Sequence, residues 1–154
     1  MNKFDEIDKK ILNILQERGR ITNANLAAEV GLSPPPMLER VKKLEKSGVI
    51  SKYVAILDPK KVDQSTIVFV SLTVARHRLK SFDQVNQELN AFPEVLECYH
   101  ISGEEDYFIK VVVENIQEYE QFLLKKLATI PSISRIKSNV VLSTIKYNTK
   151  MQIE

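Results

Sequence analysis

Thr22-Asn23-Ala24-Asn25-Leu26-Ala27-Ala28-Glu29-Val30-Gly31-Leu32-Ser33-Pro34-Pro35-Pro36-Met37-Leu38-Glu39-Arg40-Val41-Lys42-Lys43-Leu44-Glu45-Lys46-Ser47-Gly48 is the stretch whose reading decides the fold of the first half of the chain. Thr22 or Asn23 can cap a short helix that turns Leu26, Ala27 and Val30 inward. Gly31 stops it, because glycine enters the left-handed backbone region without a Cβ clash. After Leu32-Ser33 a second helix sets Met37, Leu38, Val41 and Leu44 inward and ends at Ser47-Gly48. Two helices around so tight a turn read as a helix-turn-helix.

Upstream, Asp5 can cap a helix whose Ile7, Ile11, Ile14 and Leu15 fall on one face of a 3.6-residue period, with Gly19 ending it. Residues 1–50 are thus expected to form a tri-helical, winged-helix-like DNA-binding domain. Downstream, Tyr53-Val54-Ala55-Ile56-Leu57 is a β-favouring run closed by Asp58-Pro59, and Lys60 to Ser65 is polar. Residues 51–65 therefore read as strand and linker.

Beyond the linker the sequence repeats itself at a spacing of 38 residues. Phe69 matches Tyr107, Val70 matches Phe108, Val74 matches Val112, Val85 matches Leu123, Leu89 matches Leu127, Pro93 matches Pro131 and Val95 matches Ile133. Each copy reads as strand, amphipathic helix, proline turn and strand. Two such units predict a ferredoxin-like βαββαβ domain over 66–154, and so an α+β chain. Ile109 to Val113 is apolar on both sides, so the sheet face away from the helices needs a cover. A second copy of the chain is the expected cover, which predicts a homodimer.

Composition narrows the function. The 154 residues are 44% hydrophobic, with no stretch of membrane-spanning length and no export leader, which points to the cytoplasm. Cys98 is the single cysteine, which excludes an intrachain disulfide and a cysteine-rich zinc site; it reads as a small buried hydrophobe. No phosphate loop, metal-ligand spacing or nucleophile triad is present, and no cofactor is expected. Net charge is only +2, but residues 31–61 carry 7 Lys and Arg against 3 Asp and Glu. A basic segment on a near-neutral chain suits a phosphate-facing element.

The chain resembles the Lrp/AsnC, or feast/famine, regulators almost end to end. The resemblance rests on Asp5-x-x-Asp8-x-x-Ile11-Leu12, Gly31-Leu32-Ser33-Pro34, and Arg40-Val41-x-x-Leu44-Glu45-x-x-Gly48-Val49-Ile50. It continues through Leu57-Asp58-Pro59, Pro93-Glu94-Val95-x-Glu97-Cys98 and Ser102-Gly103-x-x-Asp106-Tyr107. It implies an N-terminal DNA-binding domain and a C-terminal domain that binds an effector and assembles subunits. It further implies double-stranded DNA as partner, an amino acid or related small molecule as effector, and dimers that associate further, often to octamers.

For DNA, the outer face of the third helix presents Pro35, Glu39, Arg40, Lys42, Lys43 and Lys46. Arg40 is expected at a base edge or a close phosphate, because its planar fork can pair in two places. The lysines are expected at phosphates, which position a protein without reading sequence. If Ser33 caps this helix, the residues it should cap are Pro35 and Pro36, which have no N–H; either its hydroxyl is free for a phosphate, or the helix begins a residue or two later and the serine is solvated. Glu39 departs from the basic or neutral residue frequent in relatives, and could accept from a cytosine amino group or pair with a neighbouring cation.

For an effector, Ser102, Gly103, Glu104 and Asp106 offer close backbone N–H groups for a carboxylate and negative charge for an ammonium. The same residues read as a tight acidic hairpin in which Asp106 caps its own turn; the resemblance at Gly103 and Asp106 favours binding. Where relatives begin the last strand with two hydroxyl residues, this chain has Ile136 and Ser138. Two rivals share the fold. One is a sirohaem decarboxylase, which needs histidines in its small-molecule cavity; this chain has only His77 and His100. The other is an architectural protein that wraps DNA with little sequence preference.

Overall fold

The computed structural model describes residues 4–75 and 81–153, which divide into two compact units: Met1–Ile56 with Lys146–Glu154, and Leu57–Ile145. In the first unit α1 spans Glu6–Glu17, α2 Asn23–Val30 and α3 Pro34–Lys46. Each start has a local cause. The Asp5 carboxylate accepts from the Asp8 N–H at 2.7 Å, and the Thr22 hydroxyl accepts from the Asn25 N–H at 3.2 Å. Gly31 ends α2 at φ 83°, and both its N–H and that of Leu32 reach the Ala27 carbonyl at 2.9 Å.

Ile11, Leu12, Leu26, Ala27, Met37 and Leu44 form the core of this unit, with Ile7, Ile14, Leu15, Val30 and Val41 packed around it. The helical periodicity is therefore the one that the sequence predicts, except at Leu38. Expected inward, Leu38 is 41% exposed, because Met37 and Val41 already fill the side of α3 that meets α1 and α2.

Two further expectations are corrected here. Tyr53 to Leu57 adopts no strand, and Tyr53, Val54, Ile56 and Leu57 are exposed. A β-prone run has no ladder without a neighbouring strand, and the helical unit contains none among its described residues. The last residues, expected in the second domain, belong instead with the first unit. Gln16 Nε2 donates to the Met151 carbonyl at 3.1 Å, and the Met151 N–H donates to Gln16 Oε1 at 2.7 Å. Lys150 pairs with Glu17, and Ile153 packs on the helical core.

The second unit opens with a 3-10 turn at Pro59–Val62, capped by the Asp58 carboxylate on the Lys60 N–H at 3.1 Å. Then come β1 (Thr66–Val74), α4 (Ser81–Ala91), β2 (Val95–His100), β3 (Tyr107–Val113), α5 (Ile116–Lys125) and β4 (Ile133–Val140). The sheet order is β2-β3-β1-β4 with every neighbouring pair antiparallel, the ferredoxin-like arrangement. Val68, Val70, Leu72 and Val74 alternate inward on β1, as Tyr107, Ile109, Val111 and Val113 do on β3, and Val85, Leu89 and Phe122 from the helices close over them.

The repeat predicts the element order but not the faces. Phe69 and Tyr107 lie 38 residues apart, yet Tyr107 is 1% exposed in the core while Phe69 lies outside it. Strand side chains alternate with a period of two, so a one-residue offset moves a residue to the opposite face. On the face away from the helices Phe69 stacks on Phe108, with ring centroids 5.3 Å apart. Cys98, expected buried, is exposed, since it lies on the edge strand β2. No described helix is long and apolar enough to cross a membrane.

Candidate nucleic-acid interface

Helix α3 carries the stripe that faces away from its own core. Pro35, Glu39, Lys42 and Lys46 recur at i, i+4, i+7 and i+11, with Lys43 beside them, and all five are exposed. Glu39, Lys42, Lys43, Lys46 and Ser47 line one shallow surface groove. Lys42 Nζ lies 3.4 Å from the Glu39 carboxylate, a loose contact between two solvated groups. Lys43 and Lys46 lie in the last turn, where positive charge complements the partial negative end of the helix.

A side-chain bond ties this helix to the start of α2. Asn23 Nδ2 at the start of α2 donates to the Pro34 carbonyl at the start of α3, at 2.9 Å. The Ser33 hydroxyl makes no cap bond, which follows from prolines at the next positions, and Ser33 is exposed. The first backbone bond of α3 is the Met37 N–H to the Ser33 carbonyl, at 3.3 Å.

Arg40 does not stand where it was expected. Its Nη1 donates to Asp5 Oδ2 and to Asp8 Oδ1, each at 2.7 Å, so it ties α3 to the N-terminus of α1. The two carboxylates raise the Arg40 pKa above its ordinary value. Asp5 moves the other way: the Asp8 N–H, and then the Arg40 guanidinium, hold its carboxyl below the usual carboxylate range. The Arg40 side chain is about one-third exposed and is engaged within the fold. The sequence holds both halves of this contact, Asp5 and Asp8 at the start of α1 and the single arginine of α3, but local patterning does not bring them together across more than thirty positions.

The β2–β3 connection brings Ser102, Gly103, Glu104 and Asp106 together. Gly103 has φ 145°, in the region that favours glycine. The Ile101 N–H donates to the Asp106 carbonyl at 2.9 Å, closing the hairpin, and the Asp106 N–H donates to the Leu72 carbonyl at 2.9 Å. Asp106 Oδ2 accepts from the Val74 N–H at 2.7 Å, so this carboxylate extends the ladder to β1. Ser102, Gly103 and Glu104 are exposed.

Ile136 and Ser138 lie on the other side of β1, opposite Leu72 and Val70. Ile136 packs on the helix-covered core, and the Ser138 hydroxyl is hydrogen-bonded to the Tyr119 hydroxyl of α5. Within one chain these two residues and the β2–β3 loop do not converge on one cavity. The His100 ring stacks on Tyr107 at 5.2 Å, and His77 lies outside the described residues.

Comparison with known proteins agrees with both halves. Residues 4–51 match winged helix-turn-helix DNA-binding domains, and residues 67–151 match the Lrp/AsnC ligand binding domain. The chain is 39% identical over 151 residues to the leucine-responsive regulatory protein of Escherichia coli, covering 98% of this chain and 92% of that one. The L-methionine complex of a transcriptional regulator from Neisseria meningitidis superposes with a TM-score of 0.94 at 32% identity, covering 97% of each chain. An AsnC family transcriptional regulator from Agrobacterium tumefaciens superposes with a TM-score of 0.91 at 40% identity, again covering 97% of each. The chain belongs to the Lrp/AsnC family of DNA-binding transcriptional regulators.

Proposed function

We propose that this chain is a cytoplasmic, sequence-specific regulator that inserts α3 into the major groove of double-stranded DNA and changes its affinity when a free amino acid binds. The observation that carries the reading is the exposed stripe on α3, with Lys42, Lys43 and Lys46 turned to solvent beside Pro35 and Glu39. Ser33 and the three lysines meet phosphates, and Pro35 and Glu39 meet base edges. Arg40 acts from behind, as a positioning residue.

The amino acid binds at the β2–β3 loop. The exposed backbone around Gly103 supports contact with its carboxylate, and Glu104 supports contact with its ammonium. Asp106 shapes the turn by holding Val74, and Ile136 and Ser138 set the packing of β4 on the other side of β1. A second copy covers the sheet face that carries Phe69 and Phe108, giving a homodimer, and dimers associate further, as in an octamer.

The test is fluorescence anisotropy with the full chain and duplexes from upstream of its own gene, in one buffer, against a panel of amino acids including L-leucine and L-methionine. Binding that shifts with one of them is the expected result. Indifference to every amino acid removes the sensing half; failure to bind any duplex removes the whole reading. Sedimentation velocity of the same sample reads the assembly.

A further inference from the structure

The outward face of α3 changes character along its length. Pro34, Pro35 and Pro36 are all exposed, Leu38 beside them is 41% exposed, and Glu39 follows with its side chain 75% exposed. Only beyond Glu39 do exposed cations begin, at Lys42.

That order has a chemical consequence. The first N–H groups of a helix are ordinarily free to grip an anion. Here the first three helical positions are Pro34, Pro35 and Pro36, which have no N–H to offer. From Pro34 to Glu39 the outer surface carries no side-chain donor either. Both purines present the N7 acceptor in the major groove, beside guanine O6 or the adenine N6 amino group, and this part of the helix has no donor to pair with N7. What it does present is an apolar edge and then an acceptor. Those complement the C5-methyl of thymine and the N4 amino group of cytosine.

We propose that the N-terminal half of α3 is a pyrimidine reader: Pro35, flanked by Pro36 and Leu38, packs on thymine methyls, and Glu39 accepts from a cytosine amino group. Pro35 and Glu39 are four residues apart, roughly 6 Å along the helix axis, or about two base steps. The favoured half-site therefore places a cytosine about two steps from the contacted thymine. The lysines beyond fix the helix to phosphates without adding to this choice. The inference rests on the proposed entry of α3 into the groove and adds what it reads there.

The test begins with enrichment of duplexes from a random library by the full chain. Dissociation constants are then measured at one salt concentration for an enriched duplex and for copies in which single thymines are replaced by deoxyuridine, which lacks only the methyl. One or two thymines per half-site are expected to lose about fourfold in affinity each on this exchange. In a variant carrying Pro35→Ser and Leu38→Ser the exchange is expected to become neutral, and Glu39→Gln is expected to relax the preference for cytosine. Enriched sites indifferent to every deoxyuridine, or contacted through guanines at the same steps, overturn this inference and leave the regulator standing. A chain that binds all duplexes alike overturns the sequence-specific reading and this inference with it.

Discussion

The Asp8 carboxylate lies 2.7 Å from Arg40 Nη1, bridging the first helix of the DNA-binding unit and the third. Asp5 holds the same nitrogen, so a half-buried arginine ties α3 to the start of α1. Arg40→Ala removes a partly exposed, charge-assisted contact. The helical unit is expected to lose about 1 kcal/mol, or about 4–8 °C in its melting midpoint. Where the variant is still folded, the slope of log affinity against log salt should match that of the parent. A slope reduced by about one would place Arg40 at a phosphate after all.

Acid should loosen the same unit. Three of its carboxyl groups titrate below their ordinary range. Asp5 does so through the Asp8 N–H and then Arg40, Glu17 through Lys150, and Glu29 through Arg18. A depressed folded value means that the stabilisation is complete above the ordinary carboxylate range, about pH 4, and is lost as pH falls through the lower folded values. Helical ellipticity followed from pH 6 to pH 2 should therefore decline only at the acid end. The decline should begin at higher pH, and be shallower, in Asp5→Asn.

Lys42, Lys43 and Lys46 should act alike and independently of sequence. Replacing any one with alanine is expected to weaken specific and non-specific duplexes in parallel and to lower the salt slope by about 0.9. A lysine whose loss changes the specificity ratio instead is reading a base.

The tail should matter to the helices that it touches. Removing residues 146–154 takes away the paired bonds between Gln16 and Met151, the Lys150–Glu17 contact and the packing of Ile153. Amide exchange in α1 is expected to accelerate, by an amount equivalent to about 1 kcal/mol from the partly buried Ile153 alone. Amides of β1 and β3 should keep their protection.

Asp106→Ala should leave the Val74 N–H without its acceptor. A cost of about 1–2 kcal/mol to the second unit follows, seen as a lower unfolding midpoint. Glu104→Gln, at an exposed position, should leave that midpoint unchanged while weakening the response to the amino acid.

Much of this architecture is legible from local patterning. The caps at Asp5 and Thr22, the stop at Gly31 and the apolar faces of the three helices depend on neighbours within a few residues, and each forms where the sequence puts it. The element order of the sheet is legible from the repeat. The misreadings share one physical origin, which is contact between residues far apart in the chain. Arg40 is drawn inward by acids more than thirty positions away, and Tyr53 to Leu57 lacks a strand to pair with. The repeat places Phe69 with Tyr107, but strand pairing sets which of them faces the helices. On the candidate site, the lysines and Glu39 needed only the helical period. The engagement of Asp106 with Val74 needed the register of β1 against β3.

Gln16 and Met151 are 135 positions apart, so one compact body is assembled from two segments far apart in sequence, with the residues of the other body between them along the chain. On a ribosome the three helices emerge well before residues 146–154, which supply their last packing partner. The DNA-binding half can then reach its finished form only after the sensing half has been synthesised, and a nascent or truncated chain would carry its helices in a looser state.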